Sequence, residues 1–273
     1  MIRTNNLNYG YIKYKPVLKK ISLNLPEGHI YGLLGRNGVG KSTLLKVLTG
    51  SLLAEGEIEV GGYNPKERKA EMQQQVRIVP ENEALFENTI LEIAEVTAPL
   101  YPTFSKEMFE NAINEFEVPT DKKLTLMSLG QQKKALISLS LACNTPYLFM
   151  DEPTNGMDIP SKSSFRRIVA SSVDEKKTVL ISTHQVDDLE GLIDYVVILE
   201  NDGVLLSASL QEIGQKLCFG VAEEGDEVLY SEQTLRGPWS VMINKTGEEM
   251  PVDIKLLFSA VVKNPAKFKN IFK

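Results

Sequence analysis

The nine residues GRNGVGKST, 35–43, constrain this chain more than any other stretch. They follow HIYGLL, where Ile30, Tyr31, Leu33 and Leu34 form a short apolar run bounded by turn signals, the pattern of a buried strand. They precede LLKVLTG, which puts Leu44, Val47 and Leu48 on one helical face. The glycines therefore stand on a strand-to-helix turn. Glycine lets successive N–H groups point inward around phosphate oxygens, and the helix N-terminus adds partial positive charge. At the G-x-x-x-x-G-K-[ST] spacing, Gly35, Arg36, Asn37, Gly38, Val39, Gly40, Lys41, Ser42 and Thr43 form a phosphate-binding loop. Lys41 is expected to reach the β- and γ-phosphates, and Ser42 to hold Mg²⁺. A plain glycine turn with an incidental lysine would need neither the full spacing nor these flanks.

Composition narrows the setting. A chain of 273 residues can bury a sizeable core as one large domain or a domain with an appendage. At 42% hydrophobic and 24% charged it has an ordinary globular balance. A net charge of −6 argues against a chain that coats nucleic acid. Cys143 and Cys218 make neither a metal spacing nor a disulfide framework, and each is expected to be a small buried hydrophobe in a reducing cytosol. MIRTNNLNYG lacks the apolar core of a signal peptide. No apolar run approaches the roughly 18 residues of a membrane span, so any crossing must come from another chain.

Three regions follow one another, without repeats. Residues 1 to about 80 read as strand-rich, with candidates at PVLKKISLNL, HIYGLL, GEIEV and VRIVP. From about 82 to 145 the chain reads as helical, at NTILEIAEV, SKEMFENAINEF and QQKKALISLSLAC. From 147 to about 215, YLFMD, TVLIS and DYVVILE alternate with SKSSFRRIVASSV and HQVDDLEGLI, which predicts a parallel sheet with crossover helices. Beyond about 220, EVLYSE and WSVMIN read as short strands and VDIKLLFSAVV as a helix. This last piece carries no chemical motif. Trp239 is expected in its core and KNPAKFKNIFK as a frayed, solvated tail, with contact to a partner or an anionic membrane surface as the sharper alternative.

A second constellation is YLFMDEPTNGMD, 147–158. A buried strand here ends in two carboxylates, at the carboxyl edge where open α/β sheets bind ligands. Asp151 would hold Mg²⁺ through its water shell. Glu152, one residue on, would reach a water in line with the γ-phosphate.

The order GRNGVGKST, MSLGQ, FMDEPTNGMD, STH resembles the nucleotide-binding subunit of ABC transporters over residues 1 to about 215. Phosphate-loop kinases and GTPases lack the MSLGQ element, and NKTG at 244–247 lacks the Asp that would pair with guanine. The resemblance implies that MSLGQ is the signature, usually Ser-Gly-Gly-Gln, with Ser128, Gly130 and Gln131 matching and Leu129 in place of the first glycine. Its helix N-terminus would point at the γ-phosphate held by a second protomer. His184 takes the place of the switch histidine that contacts the γ-phosphate. Asp158, in GMD, takes the place of the loop residue that speaks to the other protomer. The adenine would stack on Tyr11, with Tyr9 and Tyr14 as close rivals because YIKYKP is one residue longer than the common spacing.

The main departure is IVPENEALF, where the family usually has Gln and this chain has Glu81. A carboxylate ligates Mg²⁺ as an amide oxygen does, but adds negative charge and cannot donate a hydrogen bond. The bland alternative is an exposed loop acid. Glu at this position, an altered signature and the YP of PLYPTF are shared with a subset of bacterial exporters of peptides, drugs or antibiotics.

The expected fold is α/β: a P-loop NTPase core of ABC ATPase type, with an antiparallel β subdomain, a helical subdomain at about 82–145 and a small C-terminal appendage. The ATPase domain would span 1–219 and the accessory region 220–273. The expected function is an ATP-hydrolysing ABC transporter subunit that homodimerises around two Mg-ATP, at the inner face of the cell membrane. It would power export through a separate permease, with no nucleic acid as partner. Catalysis would fall to Glu152, His184 and Lys41. A soluble ABC-type ATPase acting on ribosomes or DNA is the alternative, although such chains usually carry two domains or a long coiled coil. A non-hydrolysing ATP-gated regulator would not need Glu152 and His184.

Overall fold

In a computed structural model of the protein, residues 1–12, 14–82, 87–201, 203–235 and 237–272 are described. The chain opens with strands β1 (Ile2–Tyr9), β2 (Leu18–Leu25) and β3 (Ile30–Leu34), helix α1 (Lys41–Leu48), strand β4 (Glu55–Val60), helix α2 (Ala70–Gln73) and strand β5 (Val76–Val79). Helices α3 (Ile90–Thr97), α4 (Lys106–Glu115) and α5 (Leu129–Ala142) follow. Next come β6 (Tyr147–Asp151), α6 (Ile159–Ser171), β7 (Thr178–Thr183), a 3₁₀ turn at Val186–Leu189, β8 (Tyr195–Glu200), β9 (Gly203–Ser209) and α7 (Leu210–Lys216). The chain closes with β10 (Leu217–Gly220), β11 (Val228–Thr234), β12 (Gly237–Ile243), α8 (Ile254–Lys263) and α9 (Pro265–Ile271).

The central sheet has the order β5-β6-β7-β3-β8-β9, parallel except for β9. Every residue of β3, β6 and β7 is buried, as expected where both sheet faces are covered. The period of two sorts these strands between two cores. Ile30, Leu34, Leu148, Met150, Val179, Ile181, Val196 and Ile198 join the helices α3–α6 and the C-terminal elements. Tyr31, Leu33, Phe149, Leu180, Val197 and Leu199 face α1 and the small antiparallel sheet β2-β1-β4. Leu229, Val241, Ile254, Leu257 and Phe268 belong to the first of these clusters, so the C-terminal elements share its core.

Five expectations from sequence differ from the structure. Strand β1 stands where no strand was predicted. Only Ile2, Thr4 and Leu7 of it are buried, and the alternation slips at Asn6, whose φ of 50° accompanies a shift of register against β2. HQVDDLEGLI makes a single 3₁₀ turn rather than a crossover helix, and Gly191, at φ 72°, lies just beyond it. Trp239 is 38% exposed rather than core. The tail is helix α9 rather than a frayed end: Phe268 is fully buried, and Lys216 Nζ donates to the Ile271 carbonyl at 2.9 Å. Cys143 is buried as expected, whereas Cys218 is partly exposed.

Lys177, just before β7, is buried and donates to Asn144 Oδ1 at 3.2 Å. Burial pulls its pKa down to about 8 from 10.5, with Asp174 opposing. Because the folded pKa lies below the unfolded one, the native chain sheds this proton first. Stability therefore rises from about pH 8 to about 10.5, and the cost of burying the charge is fully present below pH 8. Lys177→Met is expected to gain about 1–3 kcal/mol at pH 7 and to flatten that rise, read from urea denaturation across the pH range.

Candidate functional site

The site is built at the carboxyl edge of the parallel sheet. After β3 the chain turns through Gly38 at φ 84° and Gly40 at φ 106°, and α1 begins at Lys41. These left-handed positions let the backbone wrap ahead of the helix at little steric cost. Lys41 is buried; its Nζ donates to the carbonyls of Gly35 at 2.8 Å and Arg36 at 3.2 Å, and lies 3.7 Å from Glu152 Oε1. The ammonium thus sits within the loop's own curve, beside a carboxylate.

Asp151 ends β6 and Glu152 follows it, both buried. The parallel neighbour β7 holds both. Ser182, in register with Asp151, donates its hydroxyl to Asp151 Oδ1. Thr183 Oγ1 donates to Glu152 Oε2 at 3.1 Å, and the Glu152 amide donates to the Ser182 carbonyl at 3.0 Å. His184 Nδ1 lies 2.8 Å from Glu152 Oε1. Glu152 adopts φ 47°, a left-handed conformation that a residue with a side chain takes only at a cost. Ser182 and Thr183 were not among the residues singled out from sequence. Their signal lies in the ISTH run, once the pairing of β6 with β7 is known.

A cavity of about 500 Å³ collects most of the expected groups: Tyr11, Asn37, Gly38, Gly40, Lys41, Ser42, Thr43, Glu81, Glu152 and His184 line it. Of the three tyrosines, only Tyr11 does so. Its hydroxyl lies 3.3 Å from Thr43 Oγ1, its ring meets Tyr9 edge-on at 5.1 Å, and it is 59% exposed. Tyr9 and Tyr14 line a different hollow together with Pro16 and Leu53. Glu81 reaches the cavity from the end of β5; residues 83–86 of IVPENEALF lie outside the described residues. Its backbone is held by a lysine that sequence reasoning missed. Buried Lys133, on α5, donates to the carbonyls of Pro80 at 3.0 Å and Glu81.

Ser128, Gly130, Gln131 and Asp158 do not line this cavity. Ser128 caps α5 in a reciprocal box: its Oγ accepts from the Gln131 amide at 3.3 Å, and its amide donates to Gln131 Oε1 at 3.0 Å. Leu129, 56% exposed, lies over the loop that ends at Asp158; a Cβ on Gly156 would come within 3.0 Å of Leu129 Cδ2. A Cβ on Gly130 would lie 2.8 Å from the Gly156 carbonyl oxygen, so the close approach needs glycine. Asp158 caps α6, and hydrogen bonds from Ser161 hold its carboxyl below the usual range. A partly buried network adjoins this loop: Thr154 Oγ1 donates to Asp188 Oδ2 at 2.6 Å, and Lys162 Nζ lies 2.7 Å from Asp188 Oδ1.

The chain is similar to ABC transporter ATP-binding protein YtrB of Bacillus subtilis, 29% identical over 202 residues that cover 73% of this chain and 69% of the relative. It is likewise 29% identical, over 246 residues, to bacitracin transport ATP-binding protein BcrA of Bacillus licheniformis, covering 85% of this chain and 79% of that one. A solved ATP-binding subunit of an ABC transporter superposes with a TM-score of 0.70 at 25% identity, over 78% of this chain and 91% of its own. Residues 18–155, half of the chain, match the ABC transporter family model. With the phosphate loop, the acidic strand end and the sheet order all in this arrangement, the chain belongs to the ABC transporter family and is an ATP-binding, ATP-hydrolysing subunit of that kind.

Proposed function

We propose that two copies of this chain close face to face around two ATP molecules and power export through a separate membrane permease, docked at the inner face of the cell membrane. One observation carries the dimeric reading. Lys41, Ser42, Glu152 and His184 gather around one cavity, while Ser128, Gly130 and Asp158 cluster elsewhere on the same chain. A signature that cannot serve its own cavity can serve another copy's.

Within one site, Lys41 and the loop amides neutralise the phosphates, with adenine against Tyr11. Glu152 takes the proton of the attacking water, oriented by Thr183 and His184. Asp151, Ser42 and Glu81 offer only oxygen donors, which suits Mg²⁺. Bound there, Mg²⁺ would neutralise developing phosphate charge. No three His, Cys, Asp or Glu side chains among the described residues gather into a metal cage. Among the described residues no helix is long and apolar enough to cross a membrane. Export, rather than uptake, is supported by Glu81 in the place of the family's usual glutamine and by a relative named for bacitracin transport. Residues 1–219 would form the ATPase domain, with its helical part at about 82–145, and 220–273 an accessory region.

The test mixes Lys41→Ala chains with Ser128→Arg chains. Each heterodimer then holds one doubly disabled site and one intact site, so ATPase activity should rise above that of either variant alone. Activity from an obligate monomer would reject the shared site; none regained although heterodimers form would mean either that the sites do not work in trans or that one intact site cannot fire alone.

A further inference from the structure

A second hollow lies between the turn after His184 and the C-terminal sheet. It measures about 430 Å³, within the range of small-molecule sites. One wall is the Val186–Leu189 turn and its continuation, with Asp187 and Glu190. The other is formed by Phe219 of β10, Trp239 of β12 and the start of α8, where Asp253 and Lys255 stand. Aromatic surface is thus set beside three carboxylates and one ammonium. Lys255 Nζ lies 3.5 Å from Asp187 Oδ2 and offsets that one charge, leaving the wall acidic.

One of these carboxylates is held firmly, whereas Asp187 and Glu190 are exposed. The Trp239 indole N–H donates to Asp253 Oδ2 at 3.2 Å, while Asp253 Oδ1 accepts from the Leu256 amide and caps α8 at 2.9 Å. The carboxylate is therefore fixed at the edge of a ring that is 38% exposed. An indole face next to fixed negative charge attracts a cation through both the ring quadrupole and Coulomb's law. The apolar remainder of the lining, Phe219 among it, favours a cation with a hydrocarbon body.

The 3₁₀ turn that forms one wall also stands close in sequence to the catalytic residues. Asp188, between the cavity residues Asp187 and Glu190, points inward to Thr154 and Lys162. Thr154 lies two residues after Glu152, and His184 two residues before the turn. The turn is thus continuous with His184 in the chain and is tied through Asp188 to the segment that follows Glu152.

We propose that this hollow binds a small organic ammonium ion with an apolar body, and that its occupation changes the rate of ATP hydrolysis through the Val186–Leu189 turn. Trp239 is the only tryptophan of the sequence, so indole emission of the full chain reads the hollow directly. The probe is benzyltriethylammonium, with benzenesulfonate at equal ionic strength as the anionic counterpart. A saturable emission change is expected with the ammonium and none with the sulfonate. Asp187→Asn with Glu190→Gln should weaken binding at least about tenfold, the range of one desolvated cation contact. Lys255→Gln, at a residue 73% exposed, removes the competing ammonium and should tighten binding, which keeps the test decisive if the double variant fails to fold. At saturation the parent's ATPase rate should change twofold or more, and the double variant's should not. An emission change linear in concentration, or equal for the sulfonate, means collisional quenching and overturns the site. Saturable binding with an unchanged ATPase rate overturns the coupling.

Discussion

Glu152→Gln is expected to bind ATP and hydrolyse it about 10²–10⁴ times more slowly than the parent chain, the usual worth of a positioned general base. The reason lies in what surrounds the carboxylate. Thr183 donates to one oxygen, while His184 and Lys41 lie 2.8 and 3.7 Å from the other. An amide fills the same space and can still accept from Thr183, so the cavity keeps its shape, but it cannot take a proton from water. Binding should therefore survive while chemistry stops, and ATP should trap the closed dimer. Single-turnover hydrolysis measures the first effect, and size-exclusion chromatography with ATP and Mg²⁺ the second. Turnover near the parent's would remove Glu152 from the role of base.

Gly35→Ala is expected to cost about 1–3 kcal/mol of stability, because it over-packs a site with no room. A Cβ there would lie 2.8 Å from Val39 Cγ2 and closer still to the Leu199 carbonyl oxygen on β8. Neither neighbour can yield easily: Val39 and Leu199 are both buried in the second core. The loop would have to lift away from β8, and the Gly35 carbonyl that accepts from Lys41 would move with it. ATP affinity should then fall about tenfold or more, a loss of about 1.4 kcal/mol. Urea denaturation and titration with a fluorescent nucleotide read the two effects separately. Parent-like affinity would mean that the loop's curvature does not depend on its seat against β8.

Much of this architecture was legible because local rules and tertiary structure agree. Strands buried on both faces read as apolar runs, and helices α3 to α5 start at Thr89, Ser105 and Ser128, each of which caps its helix through its own side chain. What stayed hidden depends on partners distant in sequence. Strand β1 is rich in asparagine and slips in register; it is a strand because β2 and β4 flank it. Ser182 matters because parallel pairing sets it opposite Asp151. Lys133 matters because its acceptors are backbone carbonyls 52 and 53 residues away, which no side-chain motif could announce. The sequence already favours Tyr11 over Tyr9 and Tyr14, and three dimensions add that it lines the cavity while the other two line a different hollow. The tail misled because its lysines speak for solvent, whereas Phe268 decides the outcome by inserting into the core.

The left-handed backbone at Glu152 puts two demands on one residue in opposition. For folding alone, φ 47° asks for glycine, and any other side chain there spends roughly 1 kcal/mol against the native state. The turn is nevertheless what lets a carboxylate leave the end of β6 sideways, toward Thr183 and His184, instead of continuing up or down the sheet. Selection for robustness and selection for turnover would thus pull this position toward different amino acids. A copy of the chain released from hydrolysis would have a thermodynamic incentive to lose its glutamate early, before any residue of the hydrophobic layers had drifted.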